Sequence, residues 1–277
     1  MKTITAMQKE RYCKEGYLVL KSEQVRDLKN ILRRDLRSMA LRIIKNHPEY
    51  APFFNKLHKE GFAQIFDWCI RNEQENAITR VFYELFPVNS TALSLIANPL
   101  FVEISKRLGI SYPIPSTLPI FRIDRPYKSK FLTPAHQDYW FSMLSDNSLT
   151  YWFPIFPVTE AMGQLHVVPG SHKQGILPFK KWTNENPFCL RDEIEADDYI
   201  PVALQDDEVL VFSQFLVHKS TANFSQTARL TMQIRYNDLD TLKEQTSSYT
   251  PKHSIYTANA QKDWLDKSLR ITRDFND

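Results

Sequence analysis

The hydrophobic period of this chain changes once, near residue 110, and that change limits the folds open to it. From Ser22 to about Lys45, apolar residues (Val25, Leu28, Leu32, Leu36, Met39, Ile43) recur at helical spacing among charged ones, which predicts a long amphipathic helix. Ser22 followed by Glu23 suits its N-terminus. Further helical patterns run from about Phe62 to Arg71, Glu73 to Leu85 and Pro99 to Leu108, and a short strand is expected over Glu15 to Leu20. After Pro119 the period becomes two. Strands are predicted over Ile120–Asp124, Leu149–Ile155, Gln164–Val168, Val209–Phe212 and Leu230–Tyr236, with turn chemistry at Pro169–His172 and Gln205–Glu208. Many short strands at moderate spacing point to a sandwich or barrel. The expectation is a mainly β fold with helical additions: a single domain, 1–277, with a mostly helical buttress over 1–115, a jelly-roll core over 116–240 and a C-terminal extension over 241–277.

Composition narrows the function classes. With 43% hydrophobic and 24% charged residues the chain reads as an ordinary soluble globular protein, and Phe 18, Tyr 12 and Trp 5 make its interior aromatic. A formal charge of +3 gives no argument for nucleic acid or a membrane surface as partner. Cys13, Cys69 and Cys189 are odd in number and far apart, so neither a disulfide framework nor a zinc knuckle is implied. Without an apolar leader or a long apolar run in the sequence, a cytoplasmic location is expected. Oligomeric state is not legible.

The chemistry concentrates in His136-Gln137-Asp138, answered downstream by His218 and then Arg229. In an extended segment residues two apart share a side, so His136 and Asp138 can grip one ion while Gln137 faces away. Two imidazoles and one carboxylate on one face of an octahedron leave the opposite positions open, the arrangement of non-haem Fe(II) oxygenases. With seven histidines in the chain, one His-x-Asp carries little weight alone, and His218 could equally be a hydrogen-bonded structural histidine. Arg229 opens a strand; a guanidinium inside a barrel needs a carboxylate, supplied either by an internal Asp or Glu or by a dicarboxylate cosubstrate.

Several ordered motifs together carry a family resemblance. His136-x-Asp138, Trp152-x-Pro154, Gly163-x-Leu165-x-Val167-Val168-Pro169-Gly170-Ser171-His172-Lys173-x-Gly175 and His218-x-Ser220-x-x-Asn223-x-Ser225-x-x-x-Arg229 are similar to the phytanoyl-CoA dioxygenase family of Fe(II)- and 2-oxoglutarate-dependent oxygenases. The resemblance implies a double-stranded β-helix, a cupin-like jelly roll, buttressed by the N-terminal helices. It implies Fe(II) on His136, Asp138 and His218, with 2-oxoglutarate and O2 as cosubstrates. Arg229 matches the residue that holds the distal carboxylate of 2-oxoglutarate, assisted by Ser220, with Trp152 lining the same pocket. Arg122 and Thr133 are candidates for the C1 end. His172 and His166 fall at non-ligand positions. The implied reaction is hydroxylation of a small-molecule C–H bond with release of succinate and CO2, and the presence of Asp138 argues against halogenation.

Substrate contacts are less constrained. The period of two sends Thr231, Gln233 and Arg235 to the same side as Arg229. Arg235 could meet an anionic substrate or pair with a surface carboxylate. Tyr139, Trp140 and Phe141 could shape the pocket or fill the core, and the long insertion from Lys173 to Asp198 could be a lid or a solvated face. Two rival classes stand beside the oxygenase: a non-oxidative cupin-like metalloenzyme, and a catalytically silent binding protein on the same fold.

Overall fold

The computed structural model describes residues 4–72, 77–116, 118–128, 132–142, 145–181 and 188–241. The expected C-terminal extension lies outside them apart from its first residue. Eight α-helices are described: α1 (Ala6–Glu15), α2 (Glu23–Asn46), α3 (Phe54–Leu57), α4 (Phe62–Asn72), α5 (Ala77–Leu85), α6 (Ser90–Ile96), α7 (Pro99–Leu108) and α8 (Tyr139–Ser142). The strands are β1 (Tyr17–Lys21), β2 (Pro113–Pro115), β3 (Ile120–Asp124), β4 (Ser148–Pro154), β5 (Leu165–Val167), β6 (Phe179–Lys181), β7 (Phe188–Leu190), β8 (Ile200–Val202), β9 (Glu208–Ser213), β10 (His218–Ser220) and β11 (Arg229–Asp238). None of the described helices is singly long and apolar enough to cross a membrane.

The helix ends follow local chemistry. Thr5 and Gln8 form a reciprocal capping box that starts α1, and Gly16, at φ 83°, ends it in the left-handed region. This helix was not expected, because its sequence is too polar to show a stripe; the strand expected from Glu15 begins instead at Tyr17. Asn98 caps α7, Pro99 fills its first turn and Gly109 closes it. Ser22 occupies the N-cap of α2 by position, yet its side chain makes no capping bond. The buried stripe of α2 is Val25, Lys29, Leu32, Leu36, Ala40 and Ile44, so a lysine takes a place in the stripe and Leu28, Met39 and Ile43 flank it. Lys29 Nζ is accommodated by donating to the carbonyls of Glu208 (2.8 Å) and Gln205 (3.2 Å).

Every described strand pairing is antiparallel. A six-stranded sheet runs β1-β9-β4-β11-β2 with β3 also on β11, and a three-stranded sheet runs β10-β5-β8. The two sheets form an open jelly-roll sandwich; among the described residues the expected double-stranded β-helix takes the form of two facing sheets, not a closed barrel. Alternation divides the large sheet. One face (Leu18 and Leu20, Phe121 and Ile123, Leu149, Tyr151 and Phe153, Val209 and Val211, Leu230, Met232, Ile234 and Tyr236) packs in one cluster with α2, α4, α6 and α7. The other face offers Tyr17, Trp152, Leu210 and Phe212 to Leu165, Val167 and Val202 of the small sheet. Both faces are covered, which is why all seven residues of β4 are buried.

Candidate metal and cosubstrate site

His136 and His218 lie opposite each other in an isolated antiparallel bridge that joins the segment after β3 to β10. Their backbones exchange hydrogen bonds of 3.0 and 3.1 Å, and their rings lie 4.1 Å apart. Each imidazole is oriented by a carbonyl two residues before it: Nδ1 of His136 lies 2.7 Å from the Pro134 oxygen and Nδ1 of His218 3.0 Å from that of Leu216. A carbonyl only accepts, so Nδ1 carries the hydrogen and Nε2 keeps its lone pair for a metal. Both Nε2 atoms face one oxygen of Asp138, at 3.7 Å from His136 and 3.8 Å from His218. All three side chains are buried, and one ligand atom from each lies within 4.8 Å of the others. Among the described residues this is the one His, Cys, Asp or Glu group with that geometry.

The electrostatics keep Asp138 ionised and His218 neutral, the forms in which they bind a metal. Burial opposes the ionisation of Asp138, but Arg235 and the two imidazoles overcome it and hold the carboxyl well below the usual range. Burial, reinforced by His136, pushes His218 down to about 3. Arg235 Nη2 donates to Asp138 Oδ1 at 2.7 Å and its Nε to Oδ2 at 3.2 Å, while Thr150 Oγ1 donates to Oδ2 at 2.5 Å. Arg235, placed in the sequence reading at an anionic substrate or a surface carboxylate, is thus engaged with the buried Asp138. Gln233 lies beside this pair, its Oε1 accepting from Arg235 Nη2 at 3.0 Å.

At the other end of the inner face of β11, Arg229 pairs with Asp124 through Nη2 (2.9 Å) and Nε (3.1 Å). Arg122 completes the group, reaching Asp124 at 3.3 Å and Thr133 Oγ1 at 2.6 Å. Burial opposes the charge on Asp124, but the two guanidiniums keep its carboxyl below the usual range. The internal partner foreseen as one option for Arg229 is therefore present, yet it does not satisfy the whole fork: Nη1 of Arg229 and Oγ1 of Thr231, both buried, have no hydrogen-bond partner. Buried donors without partners are uncommon and point to a missing acceptor. Ser220 is on the same side as His218 by alternation, because His218 pairs with Val167 and Ser220 with Leu165, whose side chains face inward.

Trp152 lies between the sheets in the cluster that holds Phe212, whose ring is 4.7 Å from that of His218. Trp140 packs in a satellite cluster with Leu190, Tyr199 and Val217, and its ring lies tilted against that of Phe179 in β6 at 5.3 Å. Its neighbour Phe141 reaches the ring of His136 edge-on at 5.4 Å. The insertion thus contributes an aromatic wall, whereas its acidic run at Asp192, Glu193, Glu195, Asp197 and Asp198 is exposed. His172 sits away from the triad, over Gly16, with Nε2 3.2 Å from the Cys13 carbonyl. Sequence reasoning missed Asp124, Thr150 and the anchoring role of Gln137. The Gln137 amide, fully buried, donates to the carbonyls of Gly175 (2.9 Å) and Phe215 (2.6 Å) and accepts from Leu177 N–H (2.9 Å), tying the insertion to the triad. Alternation along β3 and β4 puts Asp124 and Thr150 on the inner face, but their partners come only from strand register.

The fold and these motifs place the chain in a class shared with known oxygenases. The phytanoyl-CoA dioxygenase (PhyH) family model matches residues 12–231, and the chain belongs to that family. It is 29% identical over 102 residues to a 1-deoxypentalenic acid 11-beta-hydroxylase of Streptomyces exfoliatus, covering 34% of this chain and 36% of that one. It is 31% identical over 105 residues to a methylphosphonate hydroxylase of Gimesia maris, covering 38% and 39%. The matches thus span little more than a third of these curated relatives. Among solved structures, EctD from S. alaskensis in its apoform superimposes with a TM-score of 0.59 at 16% identity, over 91% of this chain and 83% of EctD; it shares the fold.

Proposed function

We propose that this protein is an Fe(II)- and 2-oxoglutarate-dependent dioxygenase that hydroxylates a C–H bond of a small molecule, with release of succinate and CO2. The observation that carries this reading is that the inner face of β11 serves two groups: at one end Arg235 holds Asp138 of the buried three-donor set, and at the other Arg229 keeps a buried, unpartnered N–H. A metalloenzyme without an anionic cosubstrate has no use for the second feature.

The residues fit the groups. His136, Asp138 and His218 would hold the iron, which when bound supplies oxygen activation at the expense of 2-oxoglutarate decarboxylation. Arg229 Nη1 and Thr231 Oγ1 would receive the distal carboxylate, with Ser220 on the facing sheet, and Asp124 keeps the guanidinium aimed. Arg122 and Thr133 adjoin that end of the cavity, and Trp152 walls it. Phe141, beside His136, would place a carbon skeleton next to the metal, and the aromatic cluster behind it would exclude water. The hydroxylase names of the relatives, one acting on an acid and one on methylphosphonate, support a small-molecule substrate. EctD, whose structure is also known with 2-oxoglutarate and 5-hydroxyectoine, supports the cosubstrate.

Anaerobic addition of Fe(II) and then 2-oxoglutarate tests this directly. A weak visible charge-transfer band that needs both components, and succinate formation once oxygen is admitted, are the expected results. A protein that binds divalent metal but shows neither the band nor any 2-oxoglutarate affinity would instead be a non-oxidative metalloenzyme.

A further inference from the structure

We infer that Arg235, together with Thr150, is the positioning residue that makes Asp138 a one-oxygen and electronically weakened metal ligand; this rests on the metal triad of the proposed function. A carboxylate offers about four lone-pair directions, two on each oxygen. On Oδ2 both are taken, by Thr150 Oγ1 at 2.5 Å and Arg235 Nε at 3.2 Å. On Oδ1 one is taken, by Arg235 Nη2 at 2.7 Å, and the oxygen faces both imidazole Nε2 atoms at 3.7 and 3.8 Å. The free lone pair is therefore the one directed at the triad.

The arrangement is built into strand register. Arg235 of β11 and Thr150 of β4 are paired residues, so their side chains rise side by side on the inner face and meet the carboxylate together. Gln233, two residues back on the same face, holds Arg235 Nη2 at 3.0 Å. The carboxylate and its two donors are buried: Asp138 and Thr150 are inaccessible and Arg235 is 7% exposed.

Two consequences follow for a bound metal. With Oδ2 blocked, His136, Asp138 and His218 would offer a metal three donor atoms, whereas a bidentate Asp138 would offer a fourth and take up space a keto acid would need. The guanidinium also draws negative charge from the ligand oxygen in a water-poor environment, where charge interactions are strong. The Asp138–Arg235 pair is nearly neutral, so the site stabilises a trication over a dication less than an unpaired carboxylate would.

The test is the Fe(III)/Fe(II) midpoint potential of the metal-loaded full chain without 2-oxoglutarate, in wild type, Arg235→Gln, Arg235→Lys and Thr150→Val. In Arg235→Gln the potential should move negative by an amount equivalent to at least about tenfold in Fe(III)-over-Fe(II) preference. Thr150→Val should move it less in the same direction, and Arg235→Lys should fall between wild type and Arg235→Gln. A folded, loaded Arg235→Gln with the wild-type potential overturns the inference; should that variant not fold, an unmoved Thr150→Val overturns it. Wild type that takes up no metal sinks the triad and this inference together. A loaded wild type whose potential ignores the substitutions sinks the inference alone and leaves the oxygenase reading standing.

Discussion

His136 and His218 exchange both backbone hydrogen bonds, at 3.0 and 3.1 Å, so the two imidazoles are brought side by side by the fold itself. A metal is not needed to gather them. Chelation should therefore leave the far-ultraviolet circular dichroism and the cooperative melt intact. Added Co(II) should stabilise the fold by mass action alone, by about 2.7 kcal/mol at a hundredfold excess over Kd, with Tm rising accordingly. Collapse of the cooperative transition on chelation would show that the metal builds the site.

The structural pairing of Arg229 with Asp124 and its proposed hold on the cosubstrate can be separated by substitution. Arg229→Met should raise the 2-oxoglutarate concentration needed for turnover and, by leaving Asp124 buried with Arg122 alone, cost about 3 kcal/mol of stability. Adding Asp124→Asn removes the stranded charge and should recover most of the stability but none of the cosubstrate affinity. Calorimetry and chemical denaturation on the same variants read the two effects; recovery of both together would make the pair purely structural.

Gly163 occupies a place that no other residue fits. Its φ is 79°, and a Cβ there would run into the backbone oxygens of Thr221 and Ala222. Gly163→Ala should destabilise by about 2 kcal/mol or more and disturb the segment between β10 and β11, with metal affinity falling less than stability. A neutral denaturation midpoint would contradict this.

Lys29 supplies a pH signature away from the site. Burial lowers its ammonium to about 8, although Asp206 and its neighbours oppose the shift. Between that value and the ordinary lysine range the unfolded chain binds the extra proton, so stability should rise with pH there and be flat below it. The stability difference between wild type and Lys29→Met should move in favour of wild type by up to about 1.4 kcal/mol per pH unit between pH 8 and 10. A constant difference across that range would mean the two carbonyl acceptors hold the ammonium fully charged.

Long, strongly periodic segments were legible in the sequence: α7 and β3 have their expected bounds, and α2, β4, β9 and β11 lie within a residue or two of theirs. Elements whose order comes from partners were not. β10 is three residues long and exists because Leu165–Val167 lies beside it, and the β6–β7 hairpin has no alternating pattern of its own. At the site, His136, Asp138 and His218 could be picked out because a ligand set has a recognisable residue type and spacing. The grip of Arg235 on Asp138 could not, since Thr150 and Arg235 become neighbours only through the register of β4 on β11, which no local spacing encodes.

The alternation of β11 has a consequence for how such a protein can diversify. Leu230, Met232, Ile234 and Tyr236 lock the strand to the helical layer, whereas Thr231, Gln233 and Arg235 face the other way, towards the chamber proposed between the sheets. Exchanging an inward side chain need not repack the outward ones, so chemistry and scaffold can drift separately. A single-residue insertion within the strand has no such freedom: it would turn every downstream cation and amide into the greasy layer and every anchor into the chamber. New specificities on this framework are therefore reached by substitution along β11 and by length changes only in the segments that flank it.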